Sequence, residues 1–207
     1  MIDRSKSFIA GEGVPVLVGL GTLAAALWYV GGYAYALLAA ALVAAGFLVF
    51  RDPRREIATA PLGVVSPVDG RIVDAGPVED GALDGRVHRI VIRVNPFGSY
   101  TARCPVEGKV MDLHGERDGG TAQRGGGGLW LRTDEGEDVV LRFRGHRFGL
   151  VPDAIVGYGS RVGQGQRCAY LRWTRFADLE LPAAGRVTVS EGQEVMAGTD
   201  VLAHLPN

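Results

Sequence analysis

Val156–Pro182 reads VGYGSRVGQGQRCAYLRWTRFADLELP. The stretch predicts a short strand, a glycine-punctuated turn and then a longer alternating strand that stops at Pro182. Glycine supplies turns because it takes positive φ without steric cost, and proline stops a paired strand because it has no N–H to donate. The spacing Val156-x-x-Gly159-x-x-Val162-x-x-Gly165 recurs as Val189-x-x-Gly192-x-x-Val195-x-x-Gly198, 33 positions on. Glycines at fixed offsets predict two matching turns, with the valines filling one interior. Working outward, Val64–Val73 reads as strand, Asp69-Gly70 turn and strand. His88–Val94, Leu129–Arg132 and Val139–Arg144 read as further strands. In the last of these, Leu141 and Phe143 fall on one face and Arg142 and Arg144 on the other. The fold class expected is mostly β, a barrel-sandwich-like β domain with a Gly-turn hairpin repeat.

The N-terminal region has a different composition. Val14–Phe50 contains no formally charged residue, and as one helix it would run about 55 Å, far beyond a hydrocarbon core of about 30 Å. Gly31-Gly32 divides it into two pieces of about 26 Å each. The expectation is a two-helix transmembrane hairpin over 14–50, preceded by a short cytoplasmic segment (1–13) and followed by a cytoplasmic β domain (51–207). Trp28, Tyr29, Tyr33 and Tyr35 surround the division, as an aromatic belt would. Arg4 and Lys6 before the apolar run, and Arg51, Arg54 and Arg55 after it, place both ends on the cytoplasmic side of the inner membrane. The apolar stretch is too long for a cleaved leader and lacks a convincing processing site.

The charge balance excludes some classes. With a formal net charge of −1 over 207 residues, nothing points to nucleic acid. Basic residues are 20 Arg and 2 Lys, read first as compositional bias. Cys104 and Cys168 are too few and too far apart for a metal site or a disulfide framework, and read as small hydrophobes. Seven glycines lie between Gly115 and Gly128, but a strand follows them rather than a helix. The phosphate-cradle reading therefore fails on context, and a mobile loop or lid is expected.

Several motifs in register resemble one family. Phe50-Arg51-Asp52-Pro53 resembles the F-R-D-P junction, and Ser66-Pro67-Val68-Asp69-Gly70 the S-P-x-D-G motif, of short bacterial-type phosphatidylserine decarboxylases. Asn95–Gly108 keeps Pro96, Phe97, Arg103, Pro105 and Gly108 of another family segment. Gly165, Arg167, Arg172, Asp178, Leu181 and Pro182 match the self-cleavage strand without a gap. The resemblance covers essentially the whole chain. It implies a barrel-sandwich architecture shared in part with biotinyl and lipoyl carrier domains, although neither repeat offers the lysine that a carrier needs at its hairpin tip.

The resemblance also implies a chemistry. In the family an Asp-His-Ser triad drives self-cleavage: the serine hydroxyl attacks the preceding glycine's carbonyl, and a pyruvoyl group remains to act as electron sink. Asp69 matches the triad aspartate. Tyr100 falls on the histidine, and a phenol with a pKa of about 10 is a poor base at neutral pH. Thr174 and Arg175 fall on the Gly-Ser pair. Arg175 has no hydroxyl, and that of Thr174 is one residue out of register, hence on the opposite strand face. Ser160, in Gly159-Ser160-Arg161, mimics the family tripeptide but lies fifteen residues before the matching site. His88, His114, His146 and His204 read as surface or strand residues rather than as a catalytic base. The expectation is a non-processing homologue without a pyruvoyl cofactor. It would bind aminophospholipid headgroups or partner an active relative in a homo- or hetero-oligomer. The alternative is an active decarboxylase, making phosphatidylethanolamine through an unusual processing site.

Overall fold

In a computed structural model the described residues are 8–31, 33–53, 55–58, 60–79, 81–83, 85–113 and 127–206. His114 and the glycine loop up to residue 126 lie outside them. The chain divides into two compact units, Met1–Arg54 and Arg55–Asn207.

The first unit is a helix pair, α1 (Gly13–Gly31) and α2 (Tyr33–Val49). Its open end is closed by an antiparallel bridge between Ile9 and Arg51 and by stacking of Phe8 on Phe47. The absence of a side chain at Gly46 lets α2 approach Leu17 and Leu20 of α1. The helices form, but the membrane-spanning hairpin does not stand: among the described residues no helix is long and apolar enough to cross a membrane. At 19 and 17 residues they reach about 28 and 26 Å, short of a hydrocarbon core of about 30 Å.

The second unit is β throughout. Its strands are β1 (Gly63–Val65), β2 (Gly70–Val78), β3 (Val87–Val94), β4 (Thr101–Arg103), β5 (Gly108–Asp112), β6 (Gly128–Arg132) and β7 (Asp138–Arg144). These are followed by β8 (Asp153–Ala154), β9 (Arg161–Val162), β10 (Arg167–Tyr170), β11 (Phe176–Pro182), β12 (Arg186–Val187), β13 (Glu194–Val195) and β14 (Val201–His204). Eight strands form one sheet in the order β13-β2-β3-β11-β7-β6-β5-β9. Two three-stranded sheets, β1-β14-β12 and β4-β10-β8, complete the unit.

The order of the large sheet reads as two equivalent halves about a line between β11 and β7. Each half has its own copy of one motif, Ser66-Pro-Val-Asp-Gly-Arg-Ile-Val73 and Cys104-Pro-Val-Glu-Gly-Lys-Val-Met111. Gly192 N donates to Ile72 O while Ile72 N donates to Gln193 O. In the other half Gly159 N donates to Val110 O while Val110 N donates to Ser160 O. The four glycines of the 33-residue repeat, Gly159, Gly165, Gly192 and Gly198, all have φ between 72° and 82°. The row Ile90–Leu179–Leu141–Leu129 crosses the sheet through its centre, and all four side chains are fully buried. Each contributes about 1.5–3 kcal/mol by leaving water.

Within each half one glycine lets neighbouring strands approach closely: Gly70 of β2 against β3, and Gly108 of β5 against β6. A Cβ on Gly70 would stand 2.2 Å from Arg93 O, and one on Gly108 2.2 Å from Arg132 O. Gly70→Ala is therefore expected to cost at least about 3 kcal/mol, since backbone has to move. Gly192→Ala, with open space around the site and only its φ of 82° against it, should cost about 1 kcal/mol. Urea unfolding of the two variants checks the contrast.

Candidate functional site

Asp69 sits at the tip between Val68 and β2, where Ser66 Oγ donates to Val68 O at 2.7 Å. Its carboxylate is buried and engaged on both oxygens. Oδ2 accepts from Arg55 Nη2 at 2.9 Å and from Ser99 N at 2.8 Å, and Oδ1 accepts from Ala197 N at 2.8 Å. Gly98 is small because a side chain there would strike Asp69 Cβ at 2.7 Å. Arg103, also buried, donates from Nη1 to Gly165 O at 2.9 Å and so ties β4 to the glycine turn before β10. These retained residues bind the fold's own backbone.

Tyr100 is half-buried, with its ring 6.1 Å from that of Tyr170 at a tilt of 43°. Its carbonyl accepts from Leu171 N, which leads into the turn Leu171–Thr174, closed by Thr174 N to Leu171 O at 3.0 Å. The two middle residues, Arg172 (φ 44°) and Trp173 (φ 68°), are both left-handed without being glycine. Such residues cost about 1–3 kcal/mol each and persist only where their surroundings impose them. Arg172 supplies part of that support, donating to Val151 O at 3.3 Å and to Asp153 Oδ2 at 3.2 Å.

Thr174 is buried at the end of this turn, and its Oγ1 lies 3.5 Å from His146 Nδ1. Sequence reading took His146 as a surface or strand residue and missed the contact. The available signal was that His146 follows β7, the strand that pairs with the segment after Thr174. Arg175 is exposed, while its backbone is held on both sides: Val94 N donates to Arg175 O at 2.8 Å, and Arg175 N to Arg144 O at 3.3 Å. Phe176 lies between two guanidiniums, Arg93 at 5.9 Å and Arg144 at 6.0 Å. Arg144 forms a two-point ion pair with buried Asp178, which raises the arginine's pKa further through hydrogen bonding. Ser160 lies elsewhere, at the sheet edge beside β9, where its Oγ donates to Gly157 O at 2.6 Å. Cys104 and Cys168 are fully buried neighbours, and burial pushes the Cys168 thiol well up.

Residues 47–122 match the family model for phosphatidylserine decarboxylase, a span that contains Asp69 and Tyr100 and ends before Thr174. The phosphatidylserine decarboxylase proenzyme of Nitrosomonas eutropha is 32% identical over 94% of this chain and 94% of its own length. That of Burkholderia pseudomallei is 31% identical over 96% and 95%, and that of Aromatoleum aromaticum 34% over 76% and 77%. The chain belongs to the phosphatidylserine decarboxylase family. Within that family a pyruvoyl group has to come from a residue with a β-hydroxyl. Position 175 carries a guanidinium and supplies none, and Asp69 faces Arg55 and two main-chain amides; the β-hydroxyl at this place in the strand is that of Thr174, beside His146.

Removing the Asp69 carboxylate strands a partly buried guanidinium and two buried N–H groups. Asp69→Ala is expected to lower stability by about 3–5 kcal/mol, read as a fall in the urea midpoint.

Proposed function

We propose that this chain is a phosphatidylserine decarboxylase-like protein that does not cut itself. It binds acidic lipid headgroups at the cytoplasmic surface of the inner membrane, alone or beside an active relative. The observation that carries the reading is Arg175. It stands at the position of the self-cleaving serine, with an exposed side chain and a main chain pinned between β3 and β7. A guanidinium cannot serve as the nucleophile, but it offers donors in a planar fork that suits phosphate and carboxylate. Arg93 and Arg147 are exposed on adjoining segments. Phosphate and the serine carboxylate of an aminophospholipid are the groups such a cluster pairs with.

A second reading rests on the Thr174–His146 contact and the strained turn before it. His146 Nδ1 takes the hydroxyl proton as Thr174 Oγ1 attacks the Trp173 carbonyl carbon. The peptide C–N bond breaks, and the freed amine takes a proton. Loss of the Thr174 Cα proton then expels the Trp173 carboxylate, and water replaces the nitrogen, which leaves as ammonia. A 2-oxobutanoyl cap remains on Arg175, with one water consumed and one ammonia released overall. This is the active decarboxylase with an unusual processing site.

Intact mass separates the two. The first reading expects a single chain of 22.0 kDa, unchanged by Thr174→Ala beyond the substitution itself. A split between Trp173 and Thr174, abolished by Thr174→Ala and by His146→Ala, would establish the second. For the first reading, Arg175→Gln should also weaken glycerophosphoserine binding about tenfold in titration calorimetry, the loss of one charge-assisted pair.

A further inference from the structure

Two segments leave the large sheet beside Arg175, and main-chain hydrogen bonds fix where they do so. Val94 N donates to Arg175 O at the end of β3, Arg175 N donates to Arg144 O at the end of β7, and Leu171 N donates to Tyr100 O. The segment after β3 presents Phe97, 81% exposed. The segment after β7 presents Phe148, 86% exposed, followed by the exposed side chains of Leu150 and Val151.

The backbone under Phe148 makes that exposure a built feature. Leu150 N donates to Arg147 O at 3.1 Å, closing a turn whose middle residues are Phe148 (φ 56°) and Gly149 (φ 67°). An aromatic residue in the left-handed region costs about 1–2 kcal/mol, and here the cost holds a ring out in solvent. Arg172 braces the far side of the same segment through Val151 O and Asp153. The exposed cations Arg93, Arg147 and Arg175 share this end of the sheet. Aromatic tips among guanidiniums match an anionic bilayer: rings enter the boundary between headgroups and acyl chains while cations take phosphates.

We propose that Phe97 and Phe148, with Arg93, Arg147 and Arg175, form the face by which the β unit docks on an anionic lipid bilayer. The choice of bilayer rests on the headgroup reading above; the surface itself rests on exposure, backbone and charge. Docking brings Arg175 to the level of the headgroups.

The test uses the full chain with Phe148→Cys carrying an environment-sensitive thiol dye, since Cys104 and Cys168 are buried and do not compete. Vesicles of phosphatidylcholine mixed with phosphatidylserine or phosphatidylglycerol should blue-shift the dye, and vesicles of phosphatidylcholine alone should not. The same dye at Arg186→Cys, beyond the Pro182 end of β11, should remain in water. Arg147→Gln should weaken the anionic-vesicle response about fivefold, and Phe97→Ser about tenfold. No shift at position 148, an equal shift on neutral vesicles, or a dye already shielded by self-association without lipid each overturns the proposal. Loss of glycerophosphoserine binding with the dye response intact sinks the headgroup reading and leaves the docking face standing.

Discussion

The second unit depends on two close approaches of backbone to backbone. At Gly70 the chain passes so near the Arg93 carbonyl that a single extra carbon would stand 2.2 Å from its oxygen, and at Gly108 the same is true of Arg132. Each approach starts a strand, β2 or β5, beside the neighbour it pairs with. From these two starting points the sheet builds inward to β11 and β7, which meet at Leu179 and Leu141. The core is therefore one buried layer assembled twice. The 33-residue glycine repeat supplies the matching edge strands β13 and β9, because left-handed glycines let each edge turn back onto its half.

A symmetric frame leaves room for unequal occupants. Asp69 in one half and Glu107 in the other occupy equivalent motif positions, but their surroundings diverge. Asp69 is buried under Arg55 and two amides, whereas Glu107 is exposed at the edge of a cavity of about 440 Å³. At one end of the central strands stands Arg93–Phe176–Arg144, and at the other the exposed pair Arg132–Asp138. Among the described residues, the departures at Tyr100, Thr174 and Arg175 lie towards the first end. There a strained turn, an arginine and a threonine–imidazole contact stand where a relay would be.

Retained residues do not by themselves retain a reaction. Asp69, Arg103 and Asp178 survive, and each has a structural use: two main-chain amides, a glycine carbonyl and the Arg144 guanidinium, respectively. A buried carboxylate left without these donors would be costly, so Asp69 and Asp178 are tied into the fold whatever else they do. What a reaction adds is a nucleophile and a base in contact. Among the described residues the one such pair at this end, Thr174 with His146, uses a histidine that no motif marks.

Much of the fold was legible because it is written in local rules. Alternation gave the strands, glycine spacing gave the paired turns, and Pro182 gave the end of β11. The second motif copy was equally legible in Cys104–Met111 beside Ser66–Val73, but its offset of 38 positions differs from the 33 of the glycine repeat and so hides the equivalence of the two halves. Helix formation over the apolar run was also plain, but spanning a bilayer needs length as well as hydrophobicity, and the observed helix ends leave too little. The sequence by itself determined that position 175 has no hydroxyl and position 100 no imidazole, since these are facts of covalent structure. Only the tertiary structure decided what Asp69 faces, that His146 meets Thr174, and that Phe148 is held outward. Those partners lie far apart along the chain, and strand register brings them together through many weak contacts that no local pattern encodes.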